Sequence, residues 1–287
     1  MKVVAFKIPK THREAVRLQI DDMPHLYDKL HQHPEIQIAL IEESEGTLIA
    51  GDYVGRFSPG DIVVIGSNLP HVFKNDPEYY DSPTGAKARM ISVFFDEDSW
   101  GKEFWYLAET QHIREFLKYT KRGFLLHSPL QEKAAVFLHQ LLCSKDIERL
   151  IYFFQLLSLL SQERKHMQSL SLHELNYDIK RGEEKRMSNI IQFTLNEYGR
   201  PITLEEVASI ANMTKEAFCR YFKERTRKTY VSFLNEIRIS NACRLLMDPQ
   251  KTKASIACEV GFSNLSHFNR IFRKVMGQTP TDYQTNF

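Results

Sequence analysis

Long apolar runs are absent from this 287-residue sequence. The longest largely apolar stretch, residues 151–160, is about half of the ~20 positions that a membrane-spanning helix needs. The opening, MKVVAFKIPK, contains no apolar core of the kind that a secretory signal peptide carries. The sequence therefore predicts a cytoplasmic protein with no membrane partner.

Cysteine is scarce, with only Cys143, Cys219, Cys243 and Cys258. Their spacing fits neither a zinc-binding pattern nor the disulfide framework of a small secreted domain. We therefore expect reduced thiols. No catalytic residue, resident metal or cofactor is predicted, and we expect a protein that is not an enzyme.

Charge is nearly balanced over the whole chain, at a formal +2, but it is unevenly distributed. Residues 183–287 hold 16 lysines and arginines against 11 acidic residues, whereas residues 1–182 hold 22 against 25. A basic segment suits binding to the phosphates of a nucleic acid. The surplus is small enough to occur in proteins that bind no nucleic acid, so charge permits DNA binding without requiring it.

Short strands are predicted over the first 95 residues. Alternating or wholly apolar segments such as 35–40 and 61–65 are separated by turn residues, as at 58–60. Closely spaced short strands predict a small barrel or sandwich. After Asp96 the apolar spacing becomes helical, and it predicts helices over residues 103–119, 129–142 and 146–163.

The polar, weakly periodic segment 164–182 predicts a linker between two domains. The first domain would comprise residues 1–163, with strands to about 95 and helices over about 100–163. The second would comprise residues 183–287 and be entirely helical.

A duplication lies inside the last hundred residues. Val207-Ala208 is matched by Ile256-Ala257, 49 positions further on, and Asn212-Met213 is matched by Gly261-Phe262 at the same offset. Later positions are matched at an offset of 50, and these are Phe218, Arg220, Phe222, Thr229 and Phe233 with Phe268, Arg270, Phe272, Thr279 and Tyr283. A fixed offset with one insertion predicts two copies of one supersecondary unit.

Each copy has the pattern of a helix-turn-helix unit, over residues 203–224 and 252–274. Asn212 and Gly261 are residue types that tolerate the left-handed backbone of a tight turn. Thr214 in the first copy, and Ser263 or Asn264 in the second, would cap the following helix. Paired phenylalanines four residues apart predict which face of that helix is buried.

The opposite face of each second helix would then be available to DNA. Its residues are Lys215, Glu216, Cys219, Arg220 and Lys223 in the first copy, and Leu265, Ser266, Asn269, Arg270, Arg273 and Lys274 in the second. Arginine can bind guanine in bidentate fashion and asparagine can bind adenine. Lys223, Arg273 and Lys274 are better placed for phosphates, which position a protein without specifying sequence.

One uninterrupted helical pattern, residues 231–247, connects the two copies. Its 17 residues would span about 25 Å. With the width of the two units, this length predicts recognition helices about 34 Å apart, in successive major grooves on one side of the duplex.

The run from Ile256 to Tyr283, which includes Gly261-Phe262-Ser263 and Arg270-Ile271-Phe272-Arg273-Lys274, resembles the signature of AraC-type transcription regulators. The resemblance extends over about 100 residues. It implies a seven-helix DNA-binding domain, sequence-specific binding to promoter DNA and contact with RNA polymerase.

The same resemblance implies which residues read bases. They would be Glu216, Cys219, Arg220, Leu265, Ser266, Asn269 and Arg270. Leu265 stands where polar residues are common, so it either contacts a thymine methyl group or packs. Arg227 stands where the second copy has Gly277, which implies a different turn or an added phosphate contact.

The amino-terminal half resembles the cupin-like sensor domains of such regulators, through residues 31–37, 57–61 and 68–71. In metal-binding cupins two histidines and a glutamate of the first motif and a histidine of the second hold a divalent ion. His31, His33 and His71 match, but Gln37 occupies the glutamate position. A neutral amide is a poor substitute for a charged ligand.

Three interpretations of this half remain open. The cluster could hold a metal ion through three imidazoles. The residues could instead line a small-molecule pocket, as the mouths of barrels commonly do, or they could be structural. The small-molecule interpretation is the principal one, with the effector bound by His31, His33, Glu35, Gln37 and His71; strand alternation would place Glu35 beside His33 and Gln37.

The predicted fold is therefore α+β, with an amino-terminal cupin-like β-barrel, a helical dimerisation segment and a carboxyl-terminal all-α domain. The helices at 103–119 and 146–163 would form the face of a homodimer. The predicted function is ligand-responsive, sequence-specific regulation of transcription. The alternatives are a metal-dependent cupin enzyme fused to a DNA-binding domain, and an architectural DNA-binding protein that senses nothing.

Overall fold

The computed structural model describes residues 14–80, 87–171 and 183–285. It divides into two compact units, one containing residues 14–53, 57–80 and 87–171 and the other containing residues 183–285. The first unit is built on β-sheets and the second is helical, which confirms the predicted α+β class. None of the described helices is long and apolar enough to cross a membrane. Strands expected within residues 1–13 lie outside the described residues.

Nine strands form two sheets in the amino-terminal unit as described. They are β1 (Val16–Met23), β2 (Ile36–Glu43), β3 (Gly46–Ala50), β4 (Tyr53–Phe57), β5 (Ile62–Ile65), β6 (His71–Asn75), β7 (Ala88–Phe95), β8 (Phe124–Leu126) and β9 (Met167–Ser169). The larger sheet is antiparallel with the order β1-β7-β2-β5-β8-β9, and the smaller has the order β4-β3-β6. The strands that were predicted to form a small barrel or sandwich are thus arranged in two sheets.

The two sheets pack face to face. Ile41 and Val63 of the larger sheet share one buried cluster with Leu48, Phe57 and Phe73 of the smaller. The alternate residues of β2, including Ile36 and Ile38, point to the other side of the larger sheet. Because β2 is covered on both faces, its buried residues 36–41 are apolar except for Gln37 and do not alternate with polar residues.

Four helices cover the outer face of the larger sheet, and they contribute with it to a second buried cluster. They are α1 (Lys102–Trp105), α2 (Gln111–Thr120), α3 (Leu130–Cys143) and α4 (Asp146–Gln162). The helix expected over residues 103–119 is therefore wrong as a single element. A 3-10 turn, Ala108–Thr110, separates α1 from α2, and the hydroxyl of Thr110 donates to the carbonyl of Phe104 at the break.

Part of the expected linker is folded. Residues 167–169 form β9, which pairs with β8 at the edge of the larger sheet. Each of these strands has three residues, too few for alternation to reveal, and each is stabilised by backbone pairing to a distant partner. Residues 172–182 of the expected linker lie outside the described residues.

Seven helices form the unit of residues 183–285. They are α5 (Glu183–Glu197), α6 (Leu204–Ile210), α7 (Lys215–Thr226), α8 (Tyr230–Leu245), α9 (Lys253–Glu259), α10 (Leu265–Met276) and α11 (Pro280–Thr285). The two short helices α6 and α9 have seven residues each, and the following helices α7 and α10 have twelve each. The long helix α8 lies between the copies, close to the predicted 231–247.

Candidate effector cavity and nucleic-acid interface

A cavity of about 460 Å³ lies in the amino-terminal unit. His31, His33, Gln37 and His71 line it together with apolar residues such as Phe94. The pairing of distant segments brings them together. His31 and His71 exchange two backbone hydrogen bonds, of 3.0 and 2.8 Å, although 40 positions separate them in the sequence. Gln37 enters the cavity from the second residue of β2.

The three imidazoles are held in one tautomer by backbone carbonyls. The Nδ1 atoms of His31, His33 and His71 lie 2.9, 2.9 and 2.8 Å from the carbonyl oxygens of Lys29, Glu35 and Leu69. Because a carbonyl only accepts hydrogen bonds, each Nδ1 carries the proton and each Nε2 keeps a lone pair. One ring nitrogen from each histidine lies within 4.8 Å of the other two.

Burial keeps these rings neutral. Loss of solvent lowers the pKa of His31 to about 4, and it also lowers the pKa values of His33 and His71. His71 is only 1% exposed, and its Nε2 has no hydrogen-bond partner within the described residues. The cavity therefore contains a group of acceptor nitrogens, at least one of which lacks a donor in the described chain.

Gln37 completes this group. Its side-chain nitrogen donates to the hydroxyl of Ser92 over 2.9 Å, which turns its oxygen toward His33. The amide oxygen then lies 3.3 Å from Nε2 of His33. Three imidazoles and a carbonyl oxygen are a donor set that divalent transition metals accept. The donation of each Nδ1–H to a carbonyl is also the usual support of a metal-binding histidine.

Glu35 is not among the residues that line the cavity. Its backbone carbonyl accepts from Nδ1 of His33, and its carboxylate lies 3.9 Å from that same nitrogen, behind the ring. Strand alternation does not apply to residues 33–35, because β2 begins only at Ile36. Glu35 thus supports His33, but it does not line the cavity in which the effector was predicted to bind.

Sequence reasoning missed most of the remaining wall. Gln19, Asp21 and Met23 line the cavity from alternate positions of β1, and Met90 and Phe94 line it from β7. Burial raises the pKa of Asp21. The alternation of side chains along β1 can be seen in the sequence. That these side chains line the cavity depends on the pairing of β1 with β7, about 70 positions away.

The first helix-turn-helix unit consists of α6, a turn and α7. Asn212 forms the turn with φ 52°, in the left-handed region. The hydroxyl of Thr214 accepts a hydrogen bond from the amide of Ala217 and caps α7. Phe218 and Phe222 are fully buried with ring centres 5.8 Å apart.

The second unit repeats this geometry in α9, the turn and α10. Gly261 has φ 90°, and the side chain of Asn264 accepts from the amide of His267. Asn264, not Ser263, is therefore the cap. Phe268 and Phe272 are fully buried with ring centres 5.7 Å apart. The match in caps, turns and ring pairs shows that the duplication repeats one structure.

All the residues predicted to face DNA are exposed. They are Lys215, Glu216, Cys219, Arg220, Lys223, Leu265, Ser266, Asn269, Arg270, Arg273 and Lys274. Arg220 and Arg270 occupy the sixth position of α7 and α10 respectively. Within residues 183–285 neither has an ion-pair partner, and four of the exposed residues border a shallow concavity beside α10.

The two exposed faces differ in charge. Lys215 forms an ion pair of 2.7 Å with Glu205 of α6, and Glu216 follows it, so the beginning of α7 is partly neutralised. The beginning of α10 carries the exposed Leu265 and no acidic residue in its first turn. Equivalent positions on the two faces therefore offer different chemistry.

Comparison with known proteins identifies the carboxyl-terminal unit. Residues 207–286 match the family described as a helix-turn-helix domain. The uncharacterized HTH-type transcriptional regulator YdeC of Bacillus subtilis (strain 168) is 32% identical over 115 residues, which cover 39% of this chain and 38% of that protein. The HTH-type transcriptional activator RhaR of Mannheimia succiniciproducens is 34% identical over 68 residues, covering 24% and 25%.

Among solved structures, a transcriptional regulator with an AraC-type DNA-binding domain from Chromobacterium violaceum is 20% identical. The structural alignment covers 37% of this chain and 96% of the Chromobacterium violaceum chain, with a TM-score of 0.34. The chain spans well under half the length of the two curated relatives named above. Both curated matches carry HTH-type names, and residues 207–286 form a helix-turn-helix domain.

Proposed function

We propose that this protein is a sequence-specific transcription regulator that binds double-stranded DNA and responds to a ligand in its amino-terminal cavity. The observation that carries the proposal is the repeated unit itself. Two recognition helices of equal length, each capped at its start, present an exposed arginine at the same position. The HTH-type names of the curated relatives support the same conclusion.

The exposed residues divide into two roles. Base reading is assigned to Glu216, Cys219, Arg220, Leu265, Ser266, Asn269 and Arg270. Phosphate contact is assigned to Lys215, Lys223, Arg273 and Lys274, which are long cations. Lys215 would exchange Glu205 for a phosphate when DNA binds. The 16 residues of α8 span about 24 Å, a length that suits recognition helices in successive major grooves.

The remaining partners belong to the same proposal. The cavity would hold the effector through His31, His33, Gln37 and His71. A homodimer would form through the outer helices, since Ile147 and Ile151 lie one turn apart on α4 and are 70% and 51% exposed. RNA polymerase would be the partner through which the bound protein alters transcription.

Selection of binding sequences from a random duplex library, followed by titration of the full chain, tests this function. We expect one enriched site, bound about a thousandfold or more tightly than a scrambled duplex at the same salt concentration. The double variant Arg220→Ala/Arg270→Ala should bind both duplexes with similar affinity. Equal affinity of the parent chain for all duplexes would overturn sequence-specific regulation.

A further inference from the structure

One wall of the cavity carries a carboxylate without a counter-ion. Asp21 lines the cavity from β1, and its Oδ1 atom accepts a hydrogen bond of 2.8 Å from the side-chain nitrogen of Gln19. Arg17 donates to the side-chain oxygen of Gln19 over 3.4 Å and forms no ion pair with Asp21. Within the described residues, the Oδ2 atom of Asp21 therefore has neither an ion-pair partner nor a hydrogen-bond donor.

Partial burial makes the charge on Asp21 costly. The loss of solvent raises the pKa of this carboxyl, and the hydrogen bond from Gln19 and the charge of Arg17 oppose the shift without cancelling it. Opposite charges attract more strongly where water is partly excluded. A cation inside the cavity would therefore be stabilised by Asp21 and would compensate its charge.

An apolar surface separates Asp21 from the histidines. In the register of the larger sheet, Asp21 lies opposite Met90 and Gln37 lies opposite Phe94. Met90 and Phe94 are four residues apart on β7, a distance of about 13 Å, and both line the cavity. His33 packs edge-on against Phe94 with ring centres 5.4 Å apart. The cavity thus has two polar ends with apolar side chains between them.

The histidine end offers a hydrogen-bond acceptor. The ring of His71 is buried, and its Nε2 atom has no hydrogen-bond partner within the described residues. Because Nδ1 donates to the carbonyl of Leu69, Nε2 can only accept. Native proteins rarely keep a buried acceptor without a donor. A ligand with an O–H or N–H group at this end would supply one.

We propose that the cavity binds an elongated organic amine in its protonated form. The ammonium group would pair with Asp21, and the apolar body would lie against Met90 and Phe94. An O–H or N–H group at the other end would donate to Nε2 of His71. Arylalkylamines with a polar ring substituent combine these three features. A change in DNA affinity on amine binding rests on the proposed function, while the binding itself does not.

An anionic ligand is the competing possibility. Lys29 is the single lysine or arginine among the residues that line the cavity, and it has no ion-pair partner within the described residues. It lies in the segment between β1 and β2, whereas Asp21 is held by strand pairing and oriented by Gln19. A carboxylate bound at Lys29 would leave Asp21 without a counter-ion and add a second negative charge to the cavity. An amine is therefore the better match.

Calorimetric titration of the full chain with four matched compounds tests the proposal. Tyramine carries an ammonium group and a phenol, phenethylamine lacks the phenol hydroxyl, and tyrosol has a hydroxyl in place of the ammonium group. The fourth compound, para-hydroxyphenylpropionate, has a carboxylate there. We expect tyramine to bind about tenfold more tightly than phenethylamine or tyrosol, because each lacks one of the two polar contacts. The carboxylate should bind more weakly than tyrosol.

Two variants distinguish the ends of the cavity. Asp21→Asn keeps the shape but not the charge, and it should remove the preference for tyramine over tyrosol. His71→Leu should instead remove the preference for tyramine over phenethylamine. Asp22→Asn removes an exposed carboxylate from the other face of β1 and should leave all four affinities unchanged. Because each cavity variant loses one preference and keeps the other, misfolding cannot imitate the result.

The inference is overturned if tyramine binds no more tightly than tyrosol, or if Asp21→Asn keeps the preference of the parent chain. Tighter binding of the carboxylate would identify an anion site and would overturn it as well. If tyramine binds as predicted but leaves the affinity for the selected DNA site unchanged, the ligand class stands and its sensing role is wrong. Failure to select any DNA site, with tyramine binding intact, would instead contradict the proposed function.

Discussion

Gly261 packs against the guanidinium group of Arg238. A Cβ atom on Gly261 would lie 2.8 Å from Nη2 of Arg238 and 2.6 Å from the carbonyl oxygen of Tyr198. Arg238 cannot easily retreat, because it donates to the carbonyls of Tyr198 and Arg200 over 2.9 and 2.8 Å and lies over the ring of Phe262. The turn of the second helix-turn-helix unit is therefore closed to any side chain.

Because of this packing, mutations in the two turns should change the free energy of unfolding by different amounts. Gly261→Asn, which installs the residue found in the first copy, should lower the free energy of unfolding by about 1–3 kcal/mol because backbone or Arg238 must move. The reciprocal Asn212→Gly should stay within about 0.5 kcal/mol, since Asn212 already has a positive φ and is exposed. Urea unfolding of the full chain, followed by helical circular dichroism, measures both. Equal costs would contradict the role of Arg238.

The ends of the recognition helices provide a second matched pair. Arg227 and Gly277 both terminate their helices with positive φ, 58° and 72°. A side chain at position 277 would meet nothing within 4 Å, so only the backbone conformation matters there. Arg227→Gly should raise the free energy of unfolding by about 0.5–1 kcal/mol, and Gly277→Ala should lower it by about 1 kcal/mol. If urea unfolding shows that both variants change the free energy of unfolding in the same direction, backbone conformation does not decide stability at these two positions.

Local physical chemistry explains which parts of the helix-turn-helix domain could be predicted. Caps such as Thr214, residues that tolerate positive φ such as Asn212, and phenylalanines four apart all act within a few residues. The duplication doubled each signal. The buried role of Arg238 was not predicted, because its hydrogen-bond partners lie 38 and 40 positions away in the sequence. From the sequence alone, an arginine in a helix is expected to be exposed to solvent.

The cavity was predicted less completely for the same reason. The histidines were found through motif resemblance, but the wall formed by β1 depends on its pairing with β7. Strand alternation predicted Glu35 at the cavity, but residues 33–35 precede β2 and do not form a strand. The roles of individual residues toward DNA and effector stay predictions.

Acid should weaken a contact between α3 and the larger sheet. Glu42 accepts hydrogen bonds from Arg89 and from Nε2 of His139, and Arg89 also pairs with Asp22. Partial burial alone would raise the pKa of Glu42, but these bonds lower it overall. A carboxyl whose folded pKa is depressed contributes stability above its unfolded pKa of about 4.3, and the contribution is lost as pH falls through the folded value.

Glu42→Gln should therefore lower the free energy of unfolding by about 1 kcal/mol at neutral pH. The difference from the parent should shrink progressively as pH falls below about 4.3, where the parent carboxyl also becomes neutral. Unfolding series at several pH values measure this convergence. Glu43→Gln, at the neighbouring exposed position, is the control and should track the parent throughout. A difference that persists in acid would assign the effect to packing.

Phosphate contacts should be visible in salt dependence. Lys223→Ala should reduce affinity for every duplex and flatten the slope of log affinity against log salt by about 0.9, the value of one phosphate contact on B-form DNA. Fluorescence anisotropy at four salt concentrations gives the slope. Lys133→Ala removes an equal charge from an exposed position on α3 and should leave it unchanged. An unaltered slope for Lys223→Ala would remove this residue from the phosphate contacts.

We propose that α10 reads base sequence through Arg270, and a ratio of two DNA affinities tests this role. The parent chain, Arg270→Ala and Arg273→Ala are each titrated with the selected site and with the same site carrying one substituted base pair under α10. Arg270→Ala should lose about 1–3 kcal/mol on the selected site and much less on the substituted one, so that discrimination falls. Arg273→Ala, three residues along the same exposed face, should weaken both duplexes equally. If Arg270→Ala keeps the parent's ratio of affinities, Arg270 does not read this base pair and the proposed base-reading role of α10 is wrong.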